Sequence, residues 1–444
     1  MEKELQENVE NVLNSMAEYQ KKVVSTGRFN FSDFVNFMEA KFKENGYRPT
    51  TAEETKKQTN ILILHDSGVG DFILMSGAIR EIRRLYPKAH ITLLIYPRST
   101  ELAELCPYVD EVLTNPRSTD WYKFIAHFTW NIKIVRQLLE RQFDICFSFA
   151  HYPDTLFLMY LSGAAIRVTY DYPDKEKDFI PLHGDIPVTV AVNLANVIVP
   201  RHRFGWHMVD MNFSLVDGLL HSPVANRELE IWYSPADFTV AKSILRNVTG
   251  KIYALCFGGM NLQKCYPPEM YAKVMEMIFE YDPNTTFVIL GGGKNDSIQL
   301  ERLKKTIPEK YHSNILNLIG RVTYRQSGAV LKFCDMYIGN DTGTMHMAAA
   351  MKCPVLMPKC FPMDLPQHYS DSPKLHYPYG VPNITIQPEH ALPECSNNEP
   401  YSQYGCREPQ PHCITQIKPE TVFEAFKQLE KRIAENNIEP MYMS

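Results

Sequence analysis

Gly339-Asn340-Asp341-Thr342-Gly343-Thr344-Met345-His346-Met347-Ala348-Ala349-Ala350 is the stretch that decides the fold. It follows the apolar Met336-Tyr337-Ile338 and reads as a strand, a glycine turn and a helix. The first turn of that helix is small and hydroxylated. Its free N–H groups and the Thr342 and Thr344 hydroxyls can hold a diphosphate, and the helix dipole favours negative charge there. Ala348–Ala350 let the helix pack close to a sheet. The competing reading is a capped helix with a buried His346.

Outward from this point the same rhythm repeats. Ile252–Phe257, Thr286–Leu290, Ile315–Asn317 and Pro354–Met357 read as buried strands, the last of these closing the sheet. Helices at Pro268–Tyr281, Asp296–Thr306 and Tyr324–Phe333 alternate with them. Towards the N-terminus, Ile61–Leu64, His90–Ile95, Glu111–Leu113 and Asp144–Phe149 form a second strand series, with helices over Phe72–Leu85, Glu101–Leu105 and Trp121–Arg141. Continuous apolar runs of this length mark strands buried on both faces of a parallel sheet. The expected fold class is therefore α/β, built from two doubly wound domains facing across a cleft. Residues 1–57 precede them as a helical extension, with Val9, Val12, Leu13, Met16 and Tyr19 at helical spacing and a second helix from an N-cap at Ser32 to Glu44. The divisions are 1–57, 58–225, 226–417, and 418–444 as a C-terminal helix and tail. Tyr170–Val188, rich in charge and proline, reads as an irregular insertion.

Two further motifs carry chemistry. Ser67-Gly68-Val69-Gly70-Asp71 follows the first strand and opens a helix. A nicotinamide-dinucleotide fingerprint would need glycine at Ile73 and an acid where the chain reads Tyr96-Pro97-Arg98. That reading fails at both places. Asp71, an acid at a helix start beside the cleft, can be a general base or only a cap. The second is Phe257-Gly258-Gly259-Met260 with Lys264 just before Pro267-Pro268-Glu269, a turn and a cation that suit a phosphate. A solvated surface lysine is the plain alternative.

Composition narrows the classes. The 444 residues are 45% apolar, enough to offset the ordering entropy, which excludes wholesale disorder. The net charge of −5 gives no general reason to expect nucleic acid. No apolar run is long enough to span a bilayer, and the charged start is unlike a secretory signal. The ten cysteines are mostly scattered singly in apolar segments, as reduced buried thiols are, so the expected compartment is the cytoplasm.

The three motifs, in this order, resemble glycosyltransferase family 9, the bacterial heptosyltransferases. Ser67-Gly68-Val69-Gly70-Asp71 matches the family's Ser-x-x-Gly-Asp. Lys264 with Tyr266-Pro267 matches its lysine before an aromatic-proline helix start. Asn340 to Ala349 matches its Asn-Asp-Ser-Gly-x-x-His-x-Ala-Ala signature, with Thr342 for serine. Phe143-Asp144, Ser162-Gly163-Ala164, Gly291-Gly292-Gly293 and Ile417-Lys418-Pro419-Glu420 are weaker echoes. Two places depart from the family. His65-Asp66 stands where a basic residue is usual, and Pro358-Lys359-Cys360-Phe361 stands where Gly-Pro-Thr is frequent.

The resemblance implies a GT-B fold of two Rossmann-like domains, the acceptor on the first and the nucleotide-sugar on the second. It implies inverting transfer of a sugar, typically a heptose from ADP-heptose, to an acceptor hydroxyl. Asp71 would be the base, with Ser67, Gly68 and Gly70 shaping its loop. Lys264 and Gly259 would meet the diphosphate, Thr342, Gly343 and Thr344 would cradle it, and Asp341 and His346 would order the loop or touch the donor. No cofactor is required for catalysis on this reading; the chain has no Asp-x-Asp. Cys395, Cys406 and Cys413, with Cys360, form a candidate structural site for zinc or iron, against free cysteines in a loop. The expected partners are a nucleotide-sugar and a glycan, lipid-linked or protein acceptor. Peripheral association with the inner membrane and oligomerisation stay open. A non-catalytic nucleotide-sugar or glycan-binding protein and a GT-B-like epimerase are the rival readings.

Overall fold

The computed structural model describes residues 2–26, 30–47, 59–65, 67–115, 128–150, 153–171, 191–200, 206–220, 226–259, 262–365, 372–392 and 410–444. The first sheet comprises β1 (Asn60–His65), β2 (His90–Ile95), β3 (Glu111–Thr114), β4 (Ile145–Ser148), β5 (Ile166–Tyr170) and β6 (Val197–Val199). The second comprises β7 (Lys251–Cys256), β8 (Thr285–Ile289), β9 (Ile315–Asn317), β10 (Met336–Gly339), β11 (Val355–Pro358), β12 (Asn383–Ile386) and β13 (Met441–Met443). The orders are β3-β2-β1-β4-β5-β6 and β13-β12-β11-β10-β7-β8-β9. Every strand pairing in both sheets is parallel. In each sheet the chain reverses its winding between two central strands, β1 and β4 in one, β7 and β10 in the other. Ligands of such sheets bind at the carboxyl ends of those strands.

The strand runs bury both faces because successive side chains point opposite ways. Ile61 and Ile63 enter one apolar core, and Leu62 and Leu64 another. The core holding Ile61 and Ile63 continues without interruption into the second sheet, taking in Ala254, Val288 and Met345. The opposite face of the first sheet is covered by the N-terminal helices Glu2–Thr26 and Phe31–Glu44. Val9, Val12, Leu13, Met16, Tyr19 and Val23 of the first helix are buried there. Phe34 packs on Tyr19 and Phe157, with ring centroids 5.2 and 5.7 Å apart. Tyr47 lies over Gly163, where a Cβ would sit 2.6 Å from its ring. The extension is thus part of the first half's core, and its aromatics Phe31, Phe34 and Phe37 turn inward on Phe157 and Tyr19. Phe29 lies outside the described residues.

Several boundaries differ from the sequence reading. The strand at Val355–Pro358 is not the last: β12 and β13 extend the sheet beyond it. β12 is short and interrupted by polar side chains, but Asn383 is tolerated inside because its amide donates to the Pro378 and Val381 carbonyls. The N-cap of Phe31–Glu44 is Asn30, not Ser32; its side chain accepts the Asp33 N–H. The single helix expected over Phe72–Leu85 is two, Val69–Leu74 and Ser76–Leu85. At the break the Ser76 hydroxyl donates to the Ile73 carbonyl and accepts the Glu230 N–H from the segment joining the halves. Strands β5 and β6, and the helices Pro153–Leu161, Met208–Leu220 and Pro235–Ile244, carried too little periodic signal to be named in advance. Most of Tyr170–Val188 and the start of Trp121–Arg141 lie outside the described residues.

Candidate active site

Both motif loops leave the carboxyl ends of the switch strands. β1 runs into Ser67-Gly68 and the helix Val69–Leu74, and β10 into Asn340-Asp341-Thr342 and the helix Gly343–Ala350. The two helix starts meet. A Cβ on Gly70 would lie 2.9 Å from His346 Cδ2 and 3.3 Å from Gly343 Cα. A Cβ on Gly343 would lie 3.2 Å from the Gly70 nitrogen. Backbone touches backbone, and both positions need glycine for that reason. Two positive helix ends face one another here, an arrangement that favours negative charge at the junction.

Asp71 stands at this junction, half-buried. Its Oδ2 accepts the Ser67 hydroxyl at 2.5 Å and the Gly68 N–H at 3.2 Å. Its Oδ1 takes no hydrogen bond among the described residues. The loop therefore fixes the carboxylate by one oxygen, and the charge is near enough to bear on His346.

On the other side, Asp341 is the electrostatic centre. Its Oδ2 accepts from the Lys359 ammonium, and its Oδ1 lies 4.0 Å from His346 Nε2. Burial raises this carboxyl, but Lys359, Lys264, His376 and His346 together overcome it and hold it well below the usual carboxylate range. His346, 4% exposed, is pushed down to about 4 by burial, against the pull of Asp341 and Asp71. The ring is neutral at pH 7, and its Nδ1 is buried with no hydrogen-bond partner. Thr342 occupies the N-cap position in extended backbone, yet its hydroxyl makes no cap bond. It lies 3.5 Å from the Tyr337 hydroxyl instead.

Lys264 ends a short turn, Leu262–Lys264, whose position is set from below by Asn340. Fully buried Asn340 accepts from the Tyr266 N–H at 3.0 Å and the Tyr271 hydroxyl at 2.9 Å, and its amide donates to the Phe257 carbonyl. One side chain thus ties together the end of β7, the Lys264 segment and the Asp341 loop. Gly259 lies in the same turn after β7, next to Gly258, where a Cβ would collide with Asp296. The Gly292 and Gly293 N–H groups are taken by that same Asp296 carboxylate, at 2.8 and 3.0 Å. Met260 is outside the described residues.

The halves are also joined at the rim. Glu101 of the first half accepts the Tyr324 and Arg325 N–H groups, both at 3.1 Å, at the start of the helix Tyr324–Leu331. His207 accepts the Val209 N–H at Nδ1, so Nε2 carries the proton it donates to the Tyr377 carbonyl at 2.9 Å.

Residues 187–357 match the family described as Glycosyltransferase family 9 (heptosyltransferase). The chain is 22% identical over 303 residues to lipooligosaccharide heptosyltransferase 2 of Haemophilus ducreyi, covering 66% of this chain and 80% of that one. It is 21% identical to lipopolysaccharide heptosyltransferase 3 of Escherichia coli, over 65% of this chain and 79% of that one. The chain is thus similar to glycosyltransferase family 9 in its second half and to heptosyltransferases over about two thirds of its length. Its two-sheet architecture matches solved GT-B structures of that family. A family 9 glycosyltransferase of Veillonella parvula aligns with TM-score 0.64 and 17% identity, over 84% of this chain and 97% of that one. Escherichia coli ADP-heptose lps heptosyltransferase II aligns with TM-score 0.60 and 16% identity, over 84% and 99%.

The structure brings Ser67, Gly68, Gly70, Asp71, Gly343 and His346 to one junction, with Asp341 and Lys264 beside it. Sequence reasoning gave no role to Lys359, Asn340 or His376. Only the β10–β11 register would have pointed to Lys359. The cysteine tail does not assemble within view: Cys395 and Cys406 lie outside the described residues. Cys360 and Cys413 are buried, and the Cys413 sulfur accepts the Leu392 N–H. Among the described residues no group of three or more His, Cys, Asp or Glu side chains is placed to hold a metal ion. Nor is any helix there long and apolar enough to cross a membrane.

Proposed function

We propose that this enzyme transfers a sugar, a heptose from an ADP-linked donor, to an acceptor hydroxyl with inversion, in cytoplasmic assembly of a bacterial glycan or glycoprotein. The observation that carries the reading is the contact of the Gly70 and Gly343 loops, which sets Asp71 beside the start of the helix Gly343–Ala350. The acceptor approaches over residues 58–225, and the donor sits mainly on residues 226–417. Heptosyltransferases among the relatives, one solved as an ADP-heptose enzyme, support the donor class.

The chemistry follows from charge. Asp71 takes the acceptor hydroxyl proton at its open Oδ1. The acceptor oxygen forms its bond to the anomeric carbon on the face opposite the leaving group. The bond from that carbon to the diphosphate oxygen breaks, and its electron pair leaves with the nucleoside diphosphate. That departing charge is met by Lys264 and by the N–H groups of Gly343 and Thr344, dipoles already fixed before the reaction begins. Thr342 and Gly259 line the same place, and Asp341 and His346 order the loop.

A thermal-shift screen of ADP-, GDP-, UDP- and dTDP-sugars identifies the donor, because a ligand specific to the folded state stabilises by mass action. With that donor, Asp71→Asn should lower transfer by about 10²- to 10⁴-fold while donor affinity stays within about twofold. Unchanged transfer removes Asp71 from the mechanism. Donor binding with no turnover on any acceptor favours a binding protein on the same scaffold.

A further inference from the structure

Lys359 follows β11 directly, and it is 2% exposed. The β10–β11 register explains where it points. Tyr337 pairs with Val355 and Ile338 with Leu356, so the same register carried past the strand ends sets Lys359 beside Asp341. The Lys359 N–H is bonded to the Ile386 carbonyl of β12 at 2.8 Å, which fixes its backbone. Its ammonium reaches the Asp341 carboxylate in the loop that opens the helix Gly343–Ala350.

Stability gives no reason for such a pair. A buried ion pair seldom outperforms two apolar side chains of the same volume. Lys264 acts on Asp341 as well, so this one carboxylate faces two ammonium groups. On the donor side two lysines face one carboxylate, Asp71 standing on the opposite loop, and the N-terminus of Gly343–Ala350 adds to the positive field there. An ammonium also has three donors, and among the described residues one of them is used, on Asp341.

We propose that Lys359 is a second cationic group of the diphosphate site, held in place by Asp341 and shared with the phosphate oxygens when the nucleotide-sugar binds. The inference rests on the reading that this pocket receives a nucleoside diphosphate. Its chemical consequence is greatest as the glycosidic bond breaks, when the leaving diphosphate gains negative charge. Lys359 then stabilises the product side and slows nucleotide release, whereas Asp341 offsets part of that hold.

The test is a comparison made where the carboxylate is absent. Affinities of ADP, GDP, UDP, dTDP and CDP are measured by calorimetry for the wild type, Asp341→Asn, and Asp341→Asn with Lys359→Met. Asp341→Asn should bind the cognate diphosphate more tightly than wild type. Adding Lys359→Met should weaken it about tenfold or more, the size of a lost charge-assisted hydrogen bond. Lys359→Gln replaces the methionine if the melting curve shows that the double variant has not folded. Affinity unchanged within twofold on removing Lys359 would mean that it serves Asp341 alone, and the proposal falls. Gly343→Val separates this from failure of the underlying reading. If the wild type binds none of the five diphosphates, or Gly343→Val leaves binding intact, the pocket itself is misassigned and both claims fall.

Discussion

Gly70→Ala is the smallest change that pries at the junction of the two halves. The added methyl would sit 2.9 Å from His346 Cδ2 and 3.3 Å from Gly343 Cα. Carbon atoms in ordinary contact stay about 3.5–4.0 Å apart. Something must therefore give by about half an ångström or more. The His346 ring is buried and Gly343 offers only backbone, so neither yields freely. If the halves hold, the strain costs about 1–3 kcal/mol, as overpacking does elsewhere. If they part, Asp71 moves away from the donor side by a similar distance. Misplacement by about 1 Å costs about 10²-fold, so a loss of about tenfold to hundredfold in kcat is expected. The KM for the donor should change much less, because the donor rests on the other half. Gly292→Ala is the control, because a Cβ there meets nothing within 4 Å. Initial rates with the donor identified by thermal shift give both constants. Wild-type kcat in Gly70→Ala would refute the claim that this contact sets the distance across which transfer occurs.

The folded His346 sits at about 4 against an ordinary 6.5, so its neutral form is the folded one. The unfolded chain takes up the proton first as pH falls, so stability present above about 6.5 is lost between there and about 4. At about 1.4 kcal/mol per unit, wild type should lose about 2 kcal/mol more than His346→Gln between pH 7 and pH 5 in urea titrations; equal losses would contradict the burial argument. Phe34→Ala, which empties a fully buried ring site between Tyr19 and Phe157, should cost about 3–5 kcal/mol in denaturant unfolding. A cost under about 1 kcal/mol would mean that the extension is loosely docked. If the tail cysteines close a tetrahedral site, elemental analysis of purified protein finds near-stoichiometric zinc or iron that Cys406→Ser releases; metal-free protein of unchanged fold ends that reading.

The central strands were plain in the sequence because parallel strands buried on both faces write unbroken apolar runs, as Ile61–Leu64 does. The two glycine loops were plain because close backbone approach leaves glycine little substitute. What stayed hidden depends on contacts distant along the chain. β6 is three residues long, and β12 alternates Asn383 and Thr385 with isoleucines, a pattern suited to a half-exposed strand although all four are buried. The break at Met75 coincides with a contact from far along the chain, the Glu230 N–H on the Ser76 hydroxyl. Gly291-Gly292-Gly293 looks like a ligand turn until Asp296 is seen occupying its amides. Lys359 read as a departure from a motif, and only strand register shows that it reaches Asp341.

Glu101 has one more implication. It closes the end of a helix that belongs to the opposite half, accepting two amide hydrogens with one carboxylate. Swinging the halves apart would return those two amides to water at a cost of about 0.5–2 kcal/mol, while the helix keeps its own Thr323–Gln326 cap. The clasp therefore adds a small polar bias towards contact to the apolar core that the two halves already share.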